Sequence, residues 1–415
     1  MHQAEQIHLA VQSFLDSCGQ PVCFEPGDPP LPIRPGGYRL GVESGRLTLQ
    51  VWSESRNVVR RIVGIRSQKP GRLEVDVVRF PKRQGSLLLI DLGRGGAGTG
   101  VPRLASRMAL RERLRLFLQR QFTGWRIMEV SSEAALEHTL SPSYARASVV
   151  RDGCCWAVLA SPDEAAAADH ALTFGLIWHD YLRRRERKAL VEGLCLLLPQ
   201  GKHLTACLRI AWLNPNAARF VVFTYDGPDW EEQVEIAAHG NLDTEIPVAH
   251  GPPPRAASEN ADEAWLESRI RASPGQLDAR LLPSPVYGQV PAWVGVERGV
   301  LDLLACDIGG RLAVIEIKRT ADPNLPLQAL DYWLRVRWHH ARGDFARFGY
   351  FTGVALSPLA PRLLLVAPAF EWHSTTETIL RYFDPSIEVE RIGLAVEWQA
   401  GFRVLFRLPG AHAPK

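Results

Sequence analysis

The sequence predicts a multi-domain protein that mixes α and β structure (α/β, α+β overall), with a β-rich N-terminal module. Three observations carry this. At 415 residues the chain exceeds what one hydrophobic core usually serves, and 46% hydrophobic with 22% charged residues is the balance of a globular protein. Residues 1 to about 92 hold short β-branched runs separated by turn residues. Beyond them, apolar runs of strand length alternate with runs of helical periodicity, the pattern of strands and helices packed in layers.

Taken in order, residues 1–100 read as a basic, β-rich module: a short helix, then "GRLTLQVW", "NVVRRIVGI", "GRLEVDVVRF" and "SLLLIDL" as strands. Residues 101–250 read as a mixed α/β middle domain. It opens with an arginine-studded helix over 101–121, with Leu104, Met108, Leu114 and Leu118 on the buried side. Strands such as "WRIMEV", "CCWAVLA", "TACLRIAWL" and "ARFVVFTY" follow around a long helix. "HGPPPRAASEN" reads as a linker into residues 251–415. That last part reads as helix "SENADEAWLESRIRA", strand "PVYGQVPAWVGV", hairpin "GVLDLLACDIGGRLAVIEIKRT", helix "NLPLQALDYWLRVRWHH", then strand, helix and strand in "APRLLLVAPAF", "STTETILRYF" and "IEVERIGL". No internal repeat is read from the residues.

The hairpin carries charges where burial is expected. An uncompensated buried charge costs several kcal/mol, so such groups must be paired, bound to a metal, or both. Alternation along a strand puts Leu312, Val314, Glu316 and Lys318 on one face. A three-residue loop of Ile308, Gly309 and Gly310 sets Asp307 opposite Arg311 and Asp302 opposite Glu316. A two-residue Gly-Gly turn shifts the register by one and separates the carboxylates. With the longer loop, two carboxylates and an ammonium meet on one patch, which suits a hard divalent cation. In the following helix Gln328 and Tyr332, four residues apart, share a face. In the preceding helix Asn260 and Glu263 stand at capping-box spacing, and Glu267 lies one turn further on.

This constellation resembles the PD-(D/E)XK nuclease superfamily, and the Gln328…Tyr332 pair resembles its RecB-like branch. The resemblance covers about Ser258 to His340 and extends on to residue 415; it leaves out the first 250 residues. Leu301 stands where the motif's proline would precede Asp302. The resemblance implies a restriction-endonuclease-like mixed sheet flanked by helices and a metal-dependent deoxyribonuclease acting in repair, recombination or defence. It implies Mg²⁺ or Mn²⁺ held by Asp302, Glu316 and the Ile317 carbonyl. Glu267 would support a second metal or a ligand water, a role within reach of Glu263 and Glu259 too. Lys318 would orient or help deprotonate the attacking water, and Gln328 and Tyr332 would steady the motif strand and the phosphate. Lysine is scarce, 6 residues against 42 arginines, so Lys318 stands out.

Net charge is +3, but residues Arg56 to Arg120 carry +12 and Asp226 to Glu267 carry −10. A basic segment of that size suggests a polyanion partner, DNA or RNA, with Arg56, Arg60, Arg61, Arg66, Lys82, Arg83 and Arg335 as candidate contacts. No run is long and apolar enough for a membrane span, and the first residues lack a signal-peptide pattern, so a cytoplasmic protein is expected. Seven cysteines without C-x-x-C spacing give neither a disulfide framework nor a zinc motif. Two alternatives stand beside the nuclease: a nucleic-acid-binding protein whose nuclease fold is inactive, and a dinucleotide enzyme using the glycine-rich segment Gly93 to Gly98.

Overall fold

A computed structural model describes residues 2–410 apart from 26–30, 34–35, 44, 53–56, 80–82, 92–99, 136–137, 228–229, 237–245, 247, 249–260, 295–296 and 396–400. The chain is mixed α/β and divides into two compact units. The first comprises residues 1–123, 130–132 and 142–145, and the second the remainder. In the first unit, helix α1 (His2–Asp16) precedes strands β1 (Pro21–Phe24), β2 (Leu31–Pro32), β3 (Tyr38–Glu43), β4 (Arg46–Trp52), β5 (Asn57–Lys69), β6 (Arg72–Arg79) and β7 (Arg83–Asp91), followed by helix α2 (Gly100–Gln121). The strands form one antiparallel sheet in the order β2-β1-β7-β6-β5-β4-β3. Period-two alternation sends Leu47, Leu49 and Val51 of β4 and Leu73, Val75 and Val77 of β6 to one face, where they pack with Val11, Phe14 and Leu15 of α1. The sequence reading puts α2 in the middle domain; its contacts put it in the first unit.

Two six-stranded sheets follow. The middle one is built from β8 (Arg126–Ser131), β9 (Ala145–Arg151), β10 (Cys154–Ala160), helix α3 (Ala165–Arg185), β11 (Leu190–Pro199), helix α4 (Leu204–Ile210), β12 (Arg219–Asp226) and β13 (Trp230–Val234). The last comprises helices α5 (Ala261–Ala272) and α6 (Pro274–Leu277), strands β14 (Tyr287–Val294), β15 (Glu297–Cys306) and β16 (Leu312–Ile317), helices α7 (Leu325–Ala341) and α8 (Asp344–Arg347), strand β17 (Arg362–Pro368), helix α9 (Thr376–Leu380), and strands β18 (Val389–Leu394) and β19 (Val404–Pro409). Its core joins Leu266 and Ile270 of α5 to Leu303, Ile315, Ile317, Leu364, Val366 and Ile392 of the sheet. β16 and β17 lie between neighbours on both sides and are buried along their whole length, which is why they read as continuous apolar runs.

The two sheets repeat one plan, a correction to the reading that the chain holds no repeat. Each runs in sequence order across the sheet, with three parallel strands (β10, β11, β12; β16, β17, β18) and an antiparallel last strand. Ser161 N donates to Leu197 O at 3.0 Å, and Lys318 N to Val366 O at 2.9 Å, so Ser161 holds the place of Lys318. Pro199 and Pro368 end the second parallel strand of each copy. The turns Asn214-Pro215-Asn216 and Asp384-Pro385-Ser386 also match, each closed by a backbone N–H onto its Asn or Asp side chain at 2.9 and 2.8 Å.

The copies meet reciprocally. Asn214 N donates to Tyr382 O (2.7 Å), and Asp384 N to Trp212 O (3.1 Å), around an isolated bridge of Leu213 with Phe383. The His179 ring of α3 meets Tyr382 edge-on at 5.6 Å and 74°, while Trp333 of α7 meets Trp212 at 5.5 Å and 71°. Swapping the two copies maps these backbone contacts onto each other, as a pseudo-two-fold axis beside Leu213 and Phe383 would. The sequences conceal this because backbone geometry repeats while side chains do not.

Candidate active site

The loop between β15 and β16 has three residues. Asp307 N donates to Arg311 O and Gly310 N to Asp307 O, both at 2.9 Å, and Gly310 closes the turn at φ +79°. The strands pair Cys306 with Leu312 and Leu303 with Ile315, and one further step sets Asp302 opposite Glu316. Side chains of an opposed pair point to the same face of a sheet. Asp302 Oδ2 accepts a hydrogen bond from Ile317 N at 2.7 Å. Lys318, just past the end of β16, stands with its Nζ 3.6 Å from Glu316 Oε1 and 3.5 Å from Glu263 Oε1.

Electrostatics mark the patch as unfinished. Glu316 is fully buried, and neither of its carboxylate oxygens has a hydrogen-bond partner. The Lys318 ammonium is just beyond hydrogen-bond reach. Burial, then the nearby Asp302 charge, pushes the Glu316 carboxyl well above the usual range. Burial likewise raises Asp302, against the pull of the Ile317 N–H and Lys318. Burial by itself would lower Lys318, but Glu316, Glu263 and Asp302 carry it above the ordinary lysine value, so it stays charged. Two half-compensated carboxylates and one ammonium sit at the carboxyl end of a parallel strand, where open α/β sheets bind their ligands.

No protein-family model matches this sequence, and no curated protein matches it significantly.

Helices on either side complete the surroundings. On α7, Gln328 Nε2 donates to Tyr332 OH at 3.3 Å. Tyr332 is buried, and its hydroxyl is held protonated by that burial and by the nearby Glu316 charge. On α5, buried Glu267 accepts from Gln289 Nε2 at 3.1 Å, while Glu263, one turn earlier, reaches Lys318. Gly288 makes room for this: a Cβ there would lie 2.6 Å from Glu267 Oε1 and 2.8 Å from Arg271. Gln289, in the left-handed region at φ +53°, is a partner that the sequence reading did not single out. Among the described residues, no three His, Cys, Asp or Glu side chains converge as a ready-made metal cage. Asp302 and Glu316 are opposed across the hairpin, while Glu267 and Glu263 approach from α5.

The candidate nucleic-acid contacts separate into different situations. Arg60 forms a two-pronged pair with buried Glu25 at 2.6 and 2.8 Å, and Arg66 pairs with Asp76 at 2.6 Å, so both have intramolecular partners. Arg335 is buried in α7, unlike an exposed phosphate contact. Arg61 is exposed on β5. Arg83 begins β7, while Arg56, Lys82 and the segment Gly93 to Gly98 lie outside the described residues. Among the described residues no helix is long and apolar enough to cross a membrane.

Proposed function

We propose that residues 261–409 form a PD-(D/E)XK-type nuclease domain and that the protein is a metal-dependent phosphodiesterase acting on DNA. What supports the reading most is Glu316: a fully buried carboxylate, both oxygens unsatisfied, set opposite Asp302 on the next strand and beside Lys318. A protein gains nothing in stability from such a group unless a cation completes it.

The donor set fits Mg²⁺ or Mn²⁺. Mg²⁺ characteristically takes one or two carboxylates and fills its remaining positions with water and substrate phosphate, so two carboxylates with the Ile317 carbonyl suffice without a closed cage. When bound, the ion would supply charge neutralisation at the phosphate and a more acidic ligand water. The chain's own groups then divide the work. Asp302, anchored by the Ile317 N–H, and Glu316 would hold the ion. Lys318 remains protonated beside Glu316 and donates hydrogen bonds that orient the attacking water and the phosphate oxygen, as a compact point charge can. Gln328 fixes the Tyr332 hydroxyl at the edge of the site, and Gln289 fixes Glu267, ready to accept from a ligand water.

The deciding experiment is a cleavage time course with Mg²⁺, Mn²⁺ or EDTA, beside a binding titration in EDTA. Glu316→Gln and Asp302→Asn should abolish metal-dependent cleavage with DNA binding retained. Lys318→Ala should slow it by roughly 10² to 10⁴. Wild-type rates from Glu316→Gln would sink the assignment, and a protein that binds DNA but never cuts it would be a binding module with an inactive fold.

A further inference from the structure

The pseudo-two-fold axis raises a question that the active site alone does not: what occupies the position related to Asp302, Glu316 and Lys318 in the middle copy? Ser161 stands in place of Lys318, by the matched hydrogen bonds to the neighbouring parallel strand. β10 pairs Ala160 with Leu197 as β16 pairs Ile317 with Val366, so one residue earlier Leu159 stands in place of Glu316. Leu159 and Ser161 are both fully buried. The Ser161 hydroxyl donates to Pro162 O at 3.1 Å, and its carbonyl accepts from Tyr225 OH at 3.0 Å, so this place is closed by the chain itself. Neither the Glu316 carboxylate nor the Lys318 ammonium has a charged counterpart there.

The strands of duplex DNA run antiparallel and are related by local two-fold axes. Two hydrolytic centres related by a two-fold of the protein reach both at one site in a single docking, whereas one centre reaches the second strand only after the protein turns round on the duplex. Among the described residues this chain has the two-fold and one such centre. We propose that the protein nicks duplex DNA, cutting one strand per encounter at Asp302, Glu316 and Lys318, while the middle copy acts as a non-catalytic partner built into the same chain. In the reaction, water oxygen forms a new P–O bond as the P–O bond to one sugar breaks. One water proton ends on the freed sugar hydroxyl and the other leaves to solvent, giving a phosphate monoester with no change in oxidation state. The inference rests on the phosphodiesterase reading above.

The test is a time course on supercoiled and on relaxed, covalently closed plasmid, with enzyme below plasmid concentration and Mg²⁺ or Mn²⁺ present. Open circles should form from both plasmids and approach completion before linear molecules accumulate. Glu316→Gln should remove all cutting. Ser161→Ala, with its fold checked by thermal melting, should nick within about two-fold of the wild-type rate. Linear product rising together with open circles from the first time point overturns the inference alone, as does cutting confined to the supercoiled plasmid, which indicates a single-strand substrate. A chain that leaves both plasmids intact with either metal but cleaves linear single- or double-stranded DNA overturns the inference alone, and one that cleaves no DNA with either metal overturns the phosphodiesterase reading and this inference with it.

Discussion

Glu316 replaces what would otherwise be one more apolar residue of β16, and the cost of doing so depends on pH. Its carboxyl and that of Asp302 have folded-state values raised above those of the unfolded chain. Carboxyls raised in this way leave stability intact below the ordinary carboxylate range and remove it as pH climbs through the raised values. These two groups should therefore lower the melting temperature of the metal-free protein as pH rises above about 4, by up to roughly 1.4 kcal/mol per pH unit each, set against the opposite slope that His179, His339 and His373, all lowered by burial, add below the ordinary histidine range. Glu316→Gln should flatten that slope, and millimolar Mg²⁺ should reverse it for the wild type and not for the variant. Melting curves from pH 4 to 8, with and without Mg²⁺, check this; identical slopes in wild type and Glu316→Gln would contradict it. Single charges inside apolar runs were the legible part of this site, because burial makes a charge conspicuous. The partners of arginines were not legible: Arg60 and Arg61 are adjacent, yet one is locked to Glu25 and the other exposed.

At the scale of an element, the β15–β16 hairpin decides whether a site exists at all, because a one-residue slip would turn Asp302 to the other face. The three-residue loop depends on Gly310, whose φ of +79° and contact with the 355–357 segment leave no room for a side chain: a Cβ would fall on the Ala355 carbonyl oxygen. Gly310→Ala should cost at least about 1–2 kcal/mol from the backbone conformation alone, and slow cleavage with it. Gly288→Ala should behave differently. The atoms it crowds are the ends of flexible side chains, Glu267 and Arg271, so the fold should survive while Glu267 is displaced. Denaturant melts beside metal titrations would separate the two; equal stability losses in both variants would contradict the distinction. The spacing of Gly309 and Gly310 in sequence allowed either loop, and what excludes the shorter one is a pair of backbone hydrogen bonds that no residue type announces.

Across the second unit, the middle copy bears directly on α7. Arg209 of α4 holds buried Asp331 through three hydrogen bonds of 2.6 to 3.2 Å, one residue before Tyr332. Removing either partner leaves a buried charge alone, a loss of about 3–5 kcal/mol, whereas Arg209→Leu together with Asp331→Leu should recover much of it. A double-mutant cycle by chemical unfolding measures this; additive losses would mean that the pair is not coupled. The basic N-terminal segment is tested by Arg61→Glu, which should weaken DNA binding and reduce the salt slope by about one. Arg60→Glu should instead destabilise the first unit by stranding Glu25. The segment's charge was legible in the sequence; the two-fold relation of the halves was not, since it resides in matched hydrogen bonds such as those of Asn214 and Asp384. That reciprocal bridge has a consequence of mass action. Halves that meet as separate subunits come apart on dilution, but these two are tethered and face each other at an effective molarity set by the chain. Their pairing is first-order: it holds at one copy per cell as at many, and one half is free to lose its chemistry without the other ever lacking a partner.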